Sequence, residues 1–307
     1  MSPNWAIEFQ QVSKIFGKRR RQVQAVKNLS LQIAPGQVFG FLGPNGAGKS
    51  TSIRMMMDLV RPTTGQVHLF DRPVHTDTNV LSEKVGALVE GASFYDYLTG
   101  RRNLEVLGRT HGSYDPGRVE TLLEQVGMAD RADRKVAGYS TGMRQRLGIA
   151  AALLHDPELV ILDEPTNGLD PAGIQEIRTF IRQLVDEQGK TVFLSSHMLG
   201  EVEQVCDRVA IIDKGQLIRE GSVDALLADE YALNLDVEPL ETARRLLSAY
   251  NPSLTDNKQL TIQAARSDTN KILRILLDGG VNIYQVTEVR HRLEDVFLSA
   301  LQEGDDA

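Results

Sequence analysis

A glycine-rich segment of this chain has the residue types and the spacing of a phosphate-binding loop. The segment consists of Gly43, Pro44, Asn45, Gly46, Ala47, Gly48, Lys49, Ser50 and Thr51. Its pattern, G-x-x-x-x-G-K-[ST], lets consecutive backbone N–H groups converge on a phosphate chain. Lys49 is placed to reach the β- and γ-phosphates, and the Ser50 hydroxyl is an oxygen ligand suited to Mg²⁺. The segment therefore predicts binding of a nucleoside triphosphate together with Mg²⁺.

The residues on either side of this segment support the prediction. Residues 37–42 form a short apolar run, which indicates a buried strand. Residues 49–59 have the pattern of a helix, and its N-terminus would direct the positive end of the helix dipole toward the phosphates. The alternative interpretation is a turn-rich loop with no ligand. A strand before the segment and a helix after it argue against that alternative.

Two further apolar runs end in polar side chains that suit the same chemistry. Residues 159–162 lead into Asp163 and Glu164, and residues 191–194 lead toward His197. Strands of α/β sheets bind ligands beyond their carboxyl ends. Asp163 is expected to hold Mg²⁺ through water, and Glu164 to orient and deprotonate an attacking water. His197 is a candidate hydrogen-bond partner of the γ-phosphate; solvated turn acids and a structural histidine are the alternatives.

A third segment, Tyr139-Ser140-Thr141-Gly142-Met143, precedes a helical pattern. Ser140 has the side chain of a helix N-cap, and this is the simpler interpretation. The other interpretation is an anion site formed by the Ser140 hydroxyl and the N–H groups of the first helical turn. By itself the segment does not decide between them.

The overall composition limits the classes of partner. The chain has 307 residues, of which 41% are hydrophobic, and its net charge is −7 with a pI of about 5.5. An acidic chain is a poor match for nucleic acid, which requires a basic face. Cys206 is the only cysteine, which fits a reducing cytosol. The chain has no signal-peptide pattern and no apolar run near the ~20 residues that cross a bilayer, so action at a membrane is expected from the cytosolic face through a partner.

Hydrophobic periodicity divides the chain into an α/β part and a smaller α+β part. Strands are predicted at residues 7–12, 25–33, 38–42, 67–70, 85–90, 159–163, 191–195, 208–213 and 216–220. The early strands alternate apolar and polar residues, as half-exposed antiparallel strands do. Residues 99–154 have helical spacing and predict a helical insertion. Residues 231–307 predict the order β-α-β-β-α-β followed by a terminal helix, which is typical of a ferredoxin-like unit.

The order and spacing of these motifs resemble those of the ATP-binding subunits of ABC transporters. The resemblance covers residues 1 to about 225, and the segment at Ser140 takes the place of the family's LSGGQ signature, with Thr141 for its first glycine and Met143 for its glutamine. Asp170 occupies the loop that lies at the family's dimer interface. The resemblance predicts an α/β P-loop NTPase of ABC type, with a mixed sheet core, an antiparallel β subdomain and a helical insertion. A small C-terminal α+β ferredoxin-like domain follows.

Phe16 and Glu90 are two further positions to which this resemblance assigns a role. Phe16 takes the place of the aromatic residue that stacks on adenine, while a core residue on an edge strand is the equally weighted alternative. Glu90 stands where most of the family has a glutamine that ligates Mg²⁺. The residue pattern around Glu90 resembles that of the antimicrobial-peptide branch, which includes the bacitracin and lantibiotic self-protection transporters. The pattern of the tail at residues 281–298 resembles the same branch.

The resemblance also implies partners and a mechanism. ATP would lie between Lys49 of one subunit and Ser140 and Gly142 of a second copy, so that ATP binding closes a homodimer and hydrolysis releases it. A separate integral membrane permease would receive this motion, with the chain peripheral on the inner face of the cell membrane and nucleic acid no partner. Export of a drug, antimicrobial peptide or lipid-like substrate is expected. An importer ATPase and a soluble, non-transport ABC ATPase are the alternatives.

Overall fold

The computed structural model describes most of the chain and divides it into two compact units, residues 1–220 and 221–307. The described residues are 5–17, 21–89, 91, 93–112, 114–228, 232–254, 259–264, 266–289 and 292–305. The sequence predicts boundaries of 1–225 for the ATP-binding domain, with its helical insertion at about 99–154, and 231–307 for the accessory domain. Within the described residues, no helix is both long enough and apolar enough to cross a membrane.

The strands of the N-terminal part form two sheets. They are β1 (Ile7–Phe16), β2 (Val23–Ile33), β3 (Val38–Leu42), β4 (Thr64–Leu69), β5 (Arg72–Pro73), β6 (Val85–Leu88), β7 (Leu159–Asp163), β8 (Thr191–Ser196), β9 (Arg208–Asp213) and β10 (Gln216–Ser222). A four-stranded sheet has the order β2-β1-β4-β5, with antiparallel pairs throughout. A six-stranded sheet has the order β10-β9-β3-β8-β7-β6. Parallel pairing joins β9, β3, β8, β7 and β6 in this sheet, so the carboxyl ends of these strands meet at one edge.

The helices of this part cover the six-stranded sheet and form the insertion. They are α1 (Lys49–Met56), α2 (Asn79–Lys84), α3 (Gly100–His111), α4 (Pro116–Gln125), α5 (Thr141–Ala152), α6 (Pro171–Asp186) and α7 (Leu199–Val205). Helices α3, α4 and α5 contact one another and make up the predicted helical insertion. The rings of Phe39 and Phe193 stack in the core and Phe41 packs at a tilt against Phe193, which explains the apolar residues of β3 and of the first part of β8.

The C-terminal unit contains a second, smaller sheet. Its elements are α8 (Val223–Ala228), β11 (Ala232–Glu238), α9 (Leu240–Leu246), β12 (Ser253–Leu254), β13 (Leu260–Gln263), α10 (Thr269–Asp278), β14 (Asn282–Val289) and α11 (Leu293–Asp305). The order β12-β13-β11-β14 with antiparallel pairs is that of a split β-α-β arrangement. Leu233 and Leu235 of β11 pack against Ile272 and Leu276 of α10 in its core. The predicted fold class, including the α+β unit, is confirmed.

Strand β1 extends four residues beyond the end that its pattern predicted. The sequence predicts β1 to end at Val12, whereas the observed strand continues to Phe16. The pairing with β2 shifts register between Phe9 and Val12, and Gln11 has a positive φ of 49°. A β-bulge of this kind places an extra residue in the strand, and the alternation of apolar and polar residues is lost there. The alternation of apolar and polar residues that identifies a strand in the sequence therefore stops, although β1 continues to pair with β2.

Candidate functional site

The predicted phosphate loop connects the end of β3 to the start of α1. Gly48, with a φ of 109°, is the N-cap of α1 and supplies no side chain, so no capping side chain occupies the first N–H groups of the helix. A Cβ atom at Gly48 would lie 2.5 Å from the carbonyl oxygen of Ala25, and backbone cannot move aside as a side chain can. Only glycine therefore fits this turn, as the motif requires.

Lys49 is held inside the loop that precedes it. Lys49 is 6% exposed, and its Nζ donates to the carbonyl oxygens of Gly43 at 2.6 Å and Pro44 at 3.3 Å. The same Nζ lies 3.8 Å from Glu164 Oε1. Burial lowers the pKa of Lys49, while the charges of Glu164 and Asp163 oppose that shift. The ammonium group is thus fixed between the loop and the acids at the end of β7.

Asp163 and Ser195 pair across β7 and β8 at the same edge of the sheet. The Ser195 hydroxyl donates to Asp163 Oδ1 at 2.5 Å, which fixes the carboxylate that the sequence assigned to Mg²⁺. The Ser195 hydroxyl also accepts a hydrogen bond from the backbone N–H of Glu164 at 3.1 Å. Ser195 was missed at the sequence level, because a serine at the end of a strand carries no signal of its own and its partner is distant in the chain.

Glu164 and His197 are in direct contact. His197 Nδ1 lies 2.7 Å from Glu164 Oε2, while the other carboxylate oxygen faces Lys49. Glu164 itself has a φ of 51°, in the left-handed region that residues with side chains seldom adopt. A carboxylate between an ammonium group and an imidazole, at the mouth of a phosphate loop, is suited to accept a proton from a bound water.

The phosphate loop, Glu164 and His197 line one cleft with a volume of about 500 Å³. Its lining consists of Ala25, Pro44, Asn45, Gly46, Gly48, Lys49, Ser50, Thr51, Glu164, Asn167 and His197. The structure thus brings the predicted phosphate loop together with both predicted catalytic residues. Ala25 and Asn167 were not predicted to lie there; Ala25 belongs to the antiparallel sheet, and Asn167 follows Glu164 in a turn whose shape the sequence does not specify. The cleft lining contains no residue of the segment 139–143.

That segment instead begins α5 and packs against the turn that precedes α6. Ser140 is the N-cap of α5, and its hydroxyl accepts from the N–H of Met143 at 3.3 Å. A Cβ at Gly142 would lie 2.8 Å from the side chain of Leu169, so the two segments approach closely. Asp170 caps α6 by accepting from Gly173 N at 3.0 Å. The N-cap interpretation of Ser140 is therefore observed, and the helix N-terminus that an anion site would require is present.

Of the two further predicted residues, the structure describes Phe16 but not Glu90. Phe16 lies at the end of β1 with 38% of its surface exposed, and Lys14 Nζ lies 4.9 Å from the centre of its ring. The alternative of a buried core residue does not hold for this side chain. Glu90, the third residue assigned to Mg²⁺, lies outside the described residues.

The residues present fit a nucleotide with Mg²⁺. The loop offers a glycine cradle and a buried lysine for the phosphates, and Ser50 and Asp163 offer hard oxygen ligands. Among the described residues, no group of three or more histidine, cysteine or acidic side chains forms a metal cluster. Mg²⁺ in nucleotide sites needs no such cluster, since it is held by one or two protein oxygens together with the phosphates.

Comparisons with known proteins agree with this geometry. The pattern of the ABC transporter family matches residues 26–167. An uncharacterized ABC transporter ATP-binding protein of Bacillus subtilis is 40% identical over 89% of this chain and 90% of its own length. The bacitracin transport ATP-binding protein BcrA of Enterococcus faecalis is 36% identical over 99% of both chains. The daunorubicin resistance ATP-binding protein DrrA3 of Streptomyces coeruleorubidus is 36% identical over 94% of both.

Solved structures give the same result for the fold. A dimeric post-hydrolysis state of the ATP-binding cassette MJ0796, bound to ADP and Pi, is 25% identical and covers 71% of this chain and 98% of its own, with a TM-score of 0.64. The region that matches the family carries the phosphate loop, the acids at the end of β7 and the helix that begins after Ser140. The chain binds nucleotide and hydrolyses ATP, and it belongs to the family of ABC transporter ATP-binding proteins.

Proposed function

We propose that this protein supplies the ATP-driven motion for a transporter that exports a drug, an antimicrobial peptide or a lipid-like substrate. Relatives named for bacitracin transport and for daunorubicin resistance match nearly the whole chain, including the C-terminal unit, and this supports the export branch. The described residues contain no membrane-crossing helix. In this proposal the substrate passes through a separate permease, with this chain bound to it at the cytoplasmic face.

The observation that carries the catalytic proposal is the position of Glu164 between Lys49 and His197. Lys49 binds the β- and γ-phosphates, and Glu164 accepts the proton of the water that attacks the γ-phosphate. His197 Nδ1 lies 2.7 Å from the Glu164 carboxylate and holds it in place, and the His197 ring is the group that we assign to contact the γ-phosphate and the attacking water. The exposed Phe16 ring stacks on the base.

Ser50 and Asp163 are the described residues that would hold Mg²⁺. Bound Mg²⁺ supplies electrostatic stabilisation of the β- and γ-phosphate oxygens. The Asp163 carboxylate is oriented for this task by the Ser195 hydroxyl, which occupies one of its oxygens and leaves the other for a water of the metal shell. Glu90, which follows β6 in the sequence, is the third residue that we assign to this set.

Two copies are needed to complete each site. The Ser140 segment lies outside the cleft that its own chain forms. A second copy placed head to tail would bring Ser140, Thr141, Gly142 and Met143 against the γ-phosphate, with Asp170 at the interface. The dimeric cassettes among the solved relatives support this arrangement. Closure of the dimer on two ATP molecules is then the motion passed to the permease.

The test is Glu164→Gln in the full chain. This amide keeps the shape of the carboxylate but cannot accept the proton, so turnover should fall by ~10²–10⁴-fold while ATP still binds. The ATP-bound protein should sediment as a dimer, and the ADP-bound protein as a monomer. Phosphate release near the wild-type rate would contradict the role of Glu164, and an ATP-bound monomer at all concentrations would contradict the shared site.

Transport direction is tested separately. The protein purified with its permease and placed in inside-out vesicles should accumulate substrate when ATP is added outside. Loss of substrate that was preloaded into such vesicles would instead indicate an importer. Purification without any membrane protein, together with undiminished ATPase activity, would favour a non-transport ABC ATPase.

A further inference from the structure

Two segments that each precede a helix of the insertion are joined by backbone hydrogen bonds. We name them the pre-α3 loop (residues 95–99) and the pre-α5 segment (residues 134–139). The N–H of Val136 donates to the Leu98 carbonyl at 2.9 Å, and Thr99 forms an isolated β-bridge with the pre-α5 segment. These hydrogen bonds couple the position of the start of α5, which follows Ser140, to the position of the pre-α3 loop.

The guanidinium group of Arg144 adds a side-chain link between the same two segments. Arg144 lies in the first turn of α5, and its Nη2 donates to Asp96 Oδ1 at 2.8 Å and to the Val136 carbonyl at 3.0 Å. Asp96 also accepts through its backbone carbonyl from the N–H of Ala137 at 3.0 Å. One side chain of the helix thus contacts both the pre-α3 loop and the pre-α5 segment.

The pre-α3 loop is itself held from inside the fold. Asn103 of α3 is 1% exposed, and its side-chain oxygen accepts from the N–H of Tyr95 at 2.8 Å. Its amide nitrogen donates to the carbonyls of Tyr95 at 3.1 Å and Thr99 at 2.9 Å. Because the buried Asn103 amide makes all of these hydrogen bonds, it holds the backbone of the pre-α3 loop in one conformation.

Tyr139 adds a steric contact between the same elements. Its hydroxyl donates to the Arg131 carbonyl at 2.8 Å, and a Cβ at Gly100 would lie 2.4 Å from that hydroxyl. The ring therefore fits only because α3 begins with a glycine. The residue that precedes Ser140 is packed against the first residue of α3.

Arg144 is a poor choice for the stability of α5 alone. A cation in the first turn of a helix is opposed by the positive end of the helix dipole, and α5 has no acidic residue in its first turn. The pairing with Asp96 offsets this cost and supplies an orienting contact. We propose that Asp96 and Arg144 are positioning residues that hold the first turn of α5, and with it Ser140, in the orientation needed to meet the nucleotide of a second copy; this rests on the shared site proposed above.

The experiment uses the full chain carrying Glu164→Gln, in which ATP is bound but not consumed. Asp96→Asn and Arg144→Ala should each raise the dimer dissociation constant in saturating ATP by about three- to thirtyfold, because an exposed ion pair contributes modestly and each dimer contains two copies of it. The affinity of the monomer for ADP should not change, since the cleft lining includes neither residue. Sedimentation and calorimetric titration give the two values.

Arg118→Ala is the matched control. Arg118 makes the same kind of contact near the opposite end of α5, donating to the Leu153 carbonyl at 2.7 Å and to Asp156 Oδ1 at 3.0 Å. Its exposure resembles that of Arg144. Arg118→Ala should lower the thermal unfolding midpoint about as much as Arg144→Ala does, yet leave the dimer dissociation constant unchanged.

A charge-reversed pair, Asp96→Arg with Arg144→Asp, should restore part of the dimerisation that either reversal alone removes. The positioning role would be overturned if Asp96→Asn and Arg144→Ala dimerise as tightly as Arg118→Ala. A different failure would be that the Glu164→Gln protein without further changes stays monomeric in ATP. That outcome would remove the shared site itself, and the positioning role with it.

Discussion

At the scale of single residues, Glu164 combines a proposed catalytic role with an unfavourable backbone conformation. Its φ of 51° is maintained by the N–H bond to Ser195 and by its own carbonyl, which accepts from the N–H of Asn167 at 3.1 Å. Such a conformation costs about 1–3 kcal/mol and persists where the surroundings determine it. The proposed general base is thus aimed into the cleft by a backbone conformation that lowers folding stability.

This strain predicts a difference between two neutral replacements. Glu164→Asn should unfold with a free energy about 0.5–1 kcal/mol higher than Glu164→Gln, because asparagine tolerates the left-handed region better than glutamine. Both variants should lack turnover, and both lose the same charge beside Lys49. Urea unfolding of the two proteins without nucleotide measures the difference. Equal stabilities would mean that the backbone at this position is not strained.

Phe16 gives a second prediction at this scale. Phe16→Ala should weaken ADP binding roughly 5- to 150-fold, since a base stacked on an aromatic ring gains about 1–3 kcal/mol. Phe16→Trp should keep most of the affinity. The thermal midpoint without nucleotide should change little in either variant, because the ring is already exposed. Unaltered ADP affinity in Phe16→Ala would remove the residue from the site.

At the scale of elements, the contact between β6 and α5 depends on a missing side chain. A Cβ at Gly86 of β6 would lie 1.9 Å from the carbonyl oxygen of Ala152 at the end of α5. Gly86→Ala should therefore destabilise the protein by about 1–3 kcal/mol, because a helix backbone must move to admit the methyl group. Denaturant unfolding measures the change.

Gly200 of α7 provides the comparison, because no atom of the described residues beyond its chain neighbours and its own helix lies within 4 Å of the position that a Cβ would take there. Gly200→Ala should stabilise the protein by about 0.5–1 kcal/mol, as alanine restricts the unfolded chain and favours the helix. A stabilising effect at both glycines would show that α5 is not packed against β6 as the structure has it.

Sequence periodicity identified most elements because their cores are regular. Strands β3 and β7 and the phosphate loop between β3 and α1 occur at the residues predicted, since short, wholly apolar runs leave few other choices. The ferredoxin-like order of the C-terminal unit was likewise readable from alternating strand and helix periods. The extension of β1 was not, because the bulge at Gln11 interrupts its period.

The site was predictable only where a local pattern carries the chemistry. Lys49 and Ser50 belong to a contiguous motif, and Glu164 and His197 each follow an apolar strand, so their meeting follows from parallel strand order. The hydrogen bond between Ser195 and Asp163 and the ion pair between Asp96 and Arg144 join residues far apart in the chain. Neither has a local signature, so only the folded arrangement reveals them.

At the scale of the whole molecule, each proposed site depends on a second copy. The cleft contains the loop, the base and the histidine, whereas Ser140 begins a helix outside it. In a closed, head-to-tail pair, the cleft of each copy would face the Ser140 segment of the other, which gives two equivalent sites. In this proposal Lys49 acts in the site of its own subunit, and Ser140 acts in the site of its partner.

The most direct test is the ATPase activity of a mixture of Lys49→Ala and Ser140→Arg proteins, each inactive alone. In a mixed dimer, one site carries both changes and the other carries neither. If the intact site works independently, an equal mixture should regain about a quarter of the wild-type activity, since about half of the dimers are mixed and each has one working site. Activity no greater than the sum of the two separate proteins would contradict independently working sites that are shared between copies.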